Sequence, residues 1–311
     1  MKKLITLIGI LCFPFLNAQF VFNIGKNQYF ESKVYLEDGT VKEGYLLDFG
    51  DKRVVNFQPQ LIAESFASSE TRFGLADKAF YFRKSEKGDE EKIELKDILK
   101  IERKEFKPRS DEFQIVTYEK LKVIMYDNNL QKDMDVPEFL APVKFKNGKI
   151  SVFSFVESQC QSDSYSSCKI SALHYYFKPA DKTEGIKPTN FTFGNFFTIA
   201  KLSDKYYLSF KLLGEDCPKF LEYVEQQESL NKAGFQAKFV KLVKNIYGKK
   251  LTDTYKAEYK AKKKKAKKQM KKEDFKRYEA ELYQEYINDS STMFYEELFE
   301  EMIVQYINSC E

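Results

Sequence analysis

Tryptophan is absent from this chain and histidine occurs once, as His174. A lone imidazole rules out the His-Glu-x-x-His zinc motif and leaves a zinc site short of its usual paired ligands. None of the thirteen glycines stands in Gly-x-Ser-x-Gly, so the nucleophile elbow of an α/β-hydrolase is missing. Beyond residue 18 no apolar run approaches the roughly 18 residues that a membrane-spanning helix needs. His174 itself sits in Leu173-His174-Tyr175-Tyr176-Phe177, a strand pattern, and reads as a structural residue rather than a general base.

Two further motifs fail on inspection. Gly39 to Gly44 has phosphate-loop spacing, but Tyr45 stands where a lysine must reach the phosphate, and the segment reads as a hairpin. Asp127, Asn129, Gln131, Asp133, Asp135 and Glu138 occupy the ligand positions of a calcium loop. Lys132, however, replaces the glycine that makes the sharp turn, so this stretch is expected to be a polar loop. No catalytic, cofactor-binding or metal-ligating set emerges. Carboxylate catalysis of the glycosidase type stays open as an alternative. Its mark would be an aromatic cleft holding two carboxylates about 5–10 Å apart.

What the chain does have begins at its N-terminus. Lys2 and Lys3 precede a thirteen-residue apolar run, Leu4 to Leu16, and Ala18 offers a small residue for cleavage. This is the layout of a secretion signal. As a helix the run rises about 20 Å, too short for a hydrocarbon core of ~30 Å. Leu11 before Cys12 is too large for a lipoprotein cut. Residues 1–18 are therefore expected to be a signal peptide, with the mature chain exported to the periplasm or cell surface.

The remaining 293 residues are rich in phenylalanine (29 in the whole chain) and tyrosine (20), so a Phe-based core is expected. The net charge of +4 argues against a whole-surface nucleic-acid binder. Four cysteines remain: Cys160, Cys168, Cys217 and Cys310. An even count in an oxidising compartment favours disulfides. Cys160 and Cys168 flank a short polar loop, where local pairing is easiest, which leaves Cys217 with Cys310.

The expected fold class is α+β: an antiparallel, hairpin-rich, barrel- or sandwich-like region over 19–213, then a helical region over 214–311. Lys33–Leu36 and Val41–Leu47 flank Asp38-Gly39, and Val143–Phe145 and Lys149–Val152 flank Asn147-Gly148, both hairpin signals. Ala79–Phe82 and Lys92–Leu95 flank the polar turn Glu86–Glu90. Gln114–Tyr118, Lys122–Tyr126, Lys169–Phe177 and Lys205–Leu212 read as further strands. After Leu213 the period becomes helical. Asp216 is placed to cap a helix with Pro218 in its first turn, and Gly248 to end one. A long helix is expected at about 252–287, and a last one carries Phe294, Leu298, Met302, Ile303 and Tyr306.

Gly214-Glu215-Asp216-Cys217-Pro218-Lys219-Phe220 and the terminal Ile303-Val304-Gln305-Tyr306-Ile307-Asn308-Ser309-Cys310 resemble the ends of uncharacterised exported bacterial proteins, in which a hairpin-rich region precedes a short helical tail. Ile307 between tyrosine and asparagine, and the Lys-rich helix, depart from that pattern. The resemblance implies a Cys217–Cys310 pairing and a bacterial envelope location, and no activity.

The Lys-rich helix is the one charged feature that points to a partner. From Lys256 to Arg277 the net charge is +9, and from Tyr278 to Glu311 it is −9. Lys262, Lys263, Lys264, Lys265, Lys267 and Lys268 form a footprint that suits an anionic polymer. The spacing of Tyr255, Tyr259, Phe275 and Tyr278 puts their rings on a packing stripe instead. The helix is expected to pack thinly, project from the body and make weak, salt-sensitive contacts. The sequence thus reads as an exported envelope protein with a binding or structural role. Polyanion binding through the Lys-rich helix is the first alternative and a carbohydrate-active hydrolase the second.

Overall fold

The computed structural model describes residues 29–49, 54–55, 78–106, 112–126, 130–133, 138–160, 168–188, 191–192 and 199–310. The expected signal peptide lies outside the described residues, as does most of the calcium-like loop. The α+β reading holds: a mostly antiparallel sheet is followed by helices.

The sheet begins with β1 (Tyr29–Leu36) and β2 (Val41–Leu47), joined by the Asp38-Gly39 hairpin. Leu36 N–H donates to the Thr40 carbonyl, and Gly39 N–H to that of Leu36. Gly39 takes φ +85°, which a side chain would resist, so the loop is a three-residue turn ending in a left-handed glycine. The Asn147-Gly148 hairpin closes differently. Asn147 Oδ1 accepts from the backbone N–H groups of Lys149 and Ile150 at 2.8 and 2.9 Å, an Asn-driven turn.

After the short β3 (Val54–Val55) come β4 (Ala79–Arg83) and β5 (Glu90–Glu94). A 3-10 turn, Leu95–Asp97, leads directly into β6 (Ile98–Phe106), which returns to pair with β1. The order β6-β1-β2-β4-β5, with the outer strands joined by that turn, curls round Val34, Leu46, Phe80, Phe82, Ile93, Ile98 and Ile101.

Gln114–Tyr118 and Lys122–Tyr126, expected as two strands, are one: β7 (Phe113–Tyr126). Its first half pairs with β6. Its second half belongs to another group of strands: β8 (Lys132–Asp133), β9 (Phe139–Lys146), β10 (Ile150–Cys160), β11 (Cys168–Pro179), β12 (Glu184–Ile186) and β13 (Phe191–Thr192). Strand β12 pairs with β11 and, in parallel, with β7. The ring β7-β9-β10-β11-β12 is therefore closed, which removes its edges. Gly185 lets β12 slot in: a Cβ there would lie 2.8 Å from the Phe177 carbonyl oxygen.

Alternation along β10 and β11 feeds two cores. Phe153 and Tyr176 point into the ring with Leu121, Val123 and Phe139. Ile150, Val152, Leu173, Tyr175 and Phe177 point the other way, into a larger core shared with the helices.

Those helices are α1 (Ile199–Leu213), α2 (Pro218–Tyr247), α3 (Asp253–Gln269) and α4 (Lys272–Ser309). Three expectations are corrected here. Lys205–Leu212 is helix, not strand, because Leu202, Tyr206, Phe210 and Leu213 recur at the helical spacing and are all buried. The α2 cap is Cys217, not Asp216, whose carboxylate pairs with Lys182 instead. Gly248 does end α2, as expected. The single helix expected over 252–287 breaks at Met270-Lys271, both extended, and its second part runs on unbroken to Ser309. Lys267 and Lys268 close α3, and Glu273 and Asp274 open α4. Each of these charges suits its helix end, although Lys271 and Lys272 stand between them at the start of α4.

A disulfide joins Cys217 to Cys310, with Cα atoms 5.5 Å apart across 93 residues of sequence. It ties the end of α4 to the start of α2. Cys160 and Cys168 are register partners across β10 and β11. Their side chains lie outside what is described, and so does a bond between them.

Candidate functional site

The largest core is aromatic. Phe299 of α4 stacks on Tyr175 at 5.1 Å and approaches Phe177 at 5.5 Å. Tyr206 packs on Phe210 and Phe235 at 4.9 and 4.6 Å, and its hydroxyl donates to the Leu298 carbonyl. Burial raises the Tyr206 pKa well above the ordinary tyrosine value. These contacts fix α1, α2 and the C-terminal half of α4 to β11.

The other half of α4 leaves that core. Helix α3 runs back along α4, and the two meet through Tyr255 and Tyr286 at 5.6 Å and Tyr259 and Tyr283 at 5.4 Å. Tyr286 donates to Glu258 at 3.2 Å, and Lys263 pairs with Glu279, which raises the lysine's pKa. The base is tied by Thr252, whose backbone N–H donates to Ser290 Oγ at 3.2 Å. Ala266 is the one buried residue of α3, and the first buried residue of α4 is Leu282. The two helices form an arm of about 25 Å that packs through a narrow tyrosine seam. Tyr255 and Tyr259 lie in the seam and not on the basic face, as their spacing implied.

The candidate lysines do not form one surface. Four consecutive residues of a helix point about 100° apart, so Lys262 to Lys265 spread round the whole circumference. Lys262 and Lys263 are half-buried on the two shoulders of the seam. Lys264, Lys265, Lys267 and Lys268 are exposed, and none of these four makes an ion pair among the described residues. Lys256 and Lys260, outside the charged run, are exposed on the same side as Lys264. The i, i+4 rule could have found them from the sequence.

Elsewhere the chemistry is structural. His174 is 2% exposed inside the closed ring, stacked on Phe155 at 4.4 Å. An open cleft of about 570 Å³ is lined by Glu37, Leu99, Lys100, Glu119, Lys120, Glu138, Lys146, Lys178 and Thr183. No aromatic ring lines it, and two of its three carboxylates are ion-paired, Glu37 with Lys120 and Glu119 with Lys146.

One buried polar cluster escaped sequence reasoning. Arg103 is 5% exposed. Its guanidinium donates to Glu105 at 2.6 Å, Asp48 at 2.8 Å and the Tyr118 hydroxyl at 2.8 Å. The rings of Phe30, Phe49 and Tyr118 surround it at 4.8–4.9 Å. Burial works against its charge, yet Tyr118, Glu105 and Asp48 together hold its pKa above the usual arginine value. The available signal was an arginine at the inward position of Ile101-Glu102-Arg103. With three of its donors engaged, the cluster fastens β6, β7 and the end of β2.

No protein-family model, curated protein or solved structure matches the chain. Among the described residues no group of His, Cys, Asp and Glu is placed to hold a metal, and no helix is long and apolar enough to cross a membrane.

Proposed function

We propose that the protein is an exported component of a bacterial cell envelope that works by binding, with the α3–α4 arm as its contact element. One observation carries this reading. The arm's helices bury little beyond each other and leave exposed lysines outward, an arrangement that adds nothing to the packing of the body. The signal-like residues 1–18 support export, and so does a long-range disulfide, a bond at home in oxidising compartments. The nearly neutral whole and the strongly basic arm together favour local over whole-surface attraction to anions.

Expression of the full chain in a bacterium tests the reading. The protein should be recovered outside the cytoplasm with an intact mass beginning at Gln19. Replacing residues 256–281 by a short Gly-Ser linker should leave it folded and remove its low-salt retention on immobilised heparin. Cytoplasmic recovery at full mass, or unchanged retention, would contradict the proposal.

A further inference from the structure

We infer that the ligand-facing surface of the arm is a strip of five lysines along α3, Lys256, Lys260, Lys264, Lys267 and Lys268, and that it takes a linear phosphate polymer. This rests on the reading of the arm as the contact element.

At about 100° per residue these five lysines fall within one sector of roughly 120°. Tyr255, Tyr259 and Ala266, the seam residues, lie on the opposite side. All five lysines are exposed. The strip is about 18 Å long, and neighbours four residues apart stand about 6 Å from each other. Ala257 and Ala261, both exposed, lie within or beside the sector, so a chain can approach the helix closely.

The chemistry of the strip selects among anions. Lysine is a compact, strongly hydrated point charge that suits phosphate oxygens without fixing their orientation. No aromatic ring stands on the strip, because the α3 tyrosines are spent in the seam. Bases therefore find nothing to stack on, and contact is confined to the phosphate backbone. A membrane surface fits less well. Helices that lie in an interface bury an apolar face there, and the apolar face of α3 is already used against α4. A straight row of separated positive charges is instead the complement of a linear polymer.

Binding of the purified protein to inorganic polyphosphate and to oligothymidylate, measured at two salt concentrations, tests the inference. About five contacts to a flexible strand give a log–log salt slope near −3.5, so affinity falls about a hundredfold between about 50 and about 200 mM salt. The triple substitution K256Q/K260Q/K264Q should bring the slope to about −1.4 with the helical content unchanged. The control K219Q/K241Q/K244Q removes the same charge from exposed positions of α2 and should keep the slope. Binding of both polymers with that pattern supports the strip. Binding of one polymer alone with that pattern also supports it and identifies the source of the phosphates. Equal effects of the two triple variants would overturn the strip, as would binding to anionic lipid vesicles but to neither polymer. Loss of binding on excising the arm, with the strip variant unaffected, would overturn the strip while leaving the arm as the contact element.

Discussion

The body and the arm of this protein are held together by opposite means. In the body, β11 sends alternate residues to two sides, and large rings such as Tyr176, Phe177, Phe210, Phe220 and Phe299 are fully buried. In the arm, a few tyrosines and polar contacts such as Lys263–Glu279 join two helices that are largely exposed. Helix α4 belongs to both: its first turns face solvent, and from Tyr295 onward it is core. A single helix therefore passes from a region stabilised by apolar burial to one resting on helix propensity and a thin seam. The first specifies the fold, and the second is free to carry charge that a core could not tolerate.

The largest expected break in this contrast is at the disulfide, which lies entirely in the body. Cys217→Ser should destabilise the body by about 4–5 kcal/mol on the chain-entropy model for a loop of this size. A urea midpoint measured with and without reductant checks it. On reduction the oxidised wild-type protein should lose more stability than the variant, by about that amount.

Arg103→Leu comes next. It removes the partner of two carboxylates in a largely buried setting and should cost about 3–5 kcal/mol. Thermal unfolding should show a single, lower transition for the body. A loss below about 1 kcal/mol would mean that Asp48 and Glu105 find water in place of the guanidinium.

What the sequence discloses follows the same division. Hairpins were legible because turn residues act locally: Asp38-Gly39 and Asn147-Gly148 both mark real reversals. Closure of the ring was not, because the β12–β7 pairing joins residues some sixty apart and Glu184–Ile186 is only three residues long. Lys205–Leu212 was misread because paired tyrosines and alternating apolar residues fit either period. Its true face appears only when Leu202 is included. In the arm, the seam tyrosines were legible from their spacing, but the reversal was not, since neither glycine nor proline marks it. Lys267 and Lys268 at the end of α3 and Glu273 and Asp274 at the start of α4 suit the break, but Lys271 and Lys272 between them hide it. Among the candidate lysines, adjacency in sequence misled. Helical geometry disperses the run Lys262–Lys265 and brings Lys256 and Lys260 into line with Lys264.

Native-state hydrogen exchange along α4 tests most directly the claim that one helix spans two regimes. Amides from about Tyr295 to Tyr306 should open only with the body. Those from Lys272 to Glu281, and all of α3, should exchange through local opening at far lower free energy. Uniform protection from Lys272 to Ser309, or protection of α3 equal to that of α2, would contradict the account.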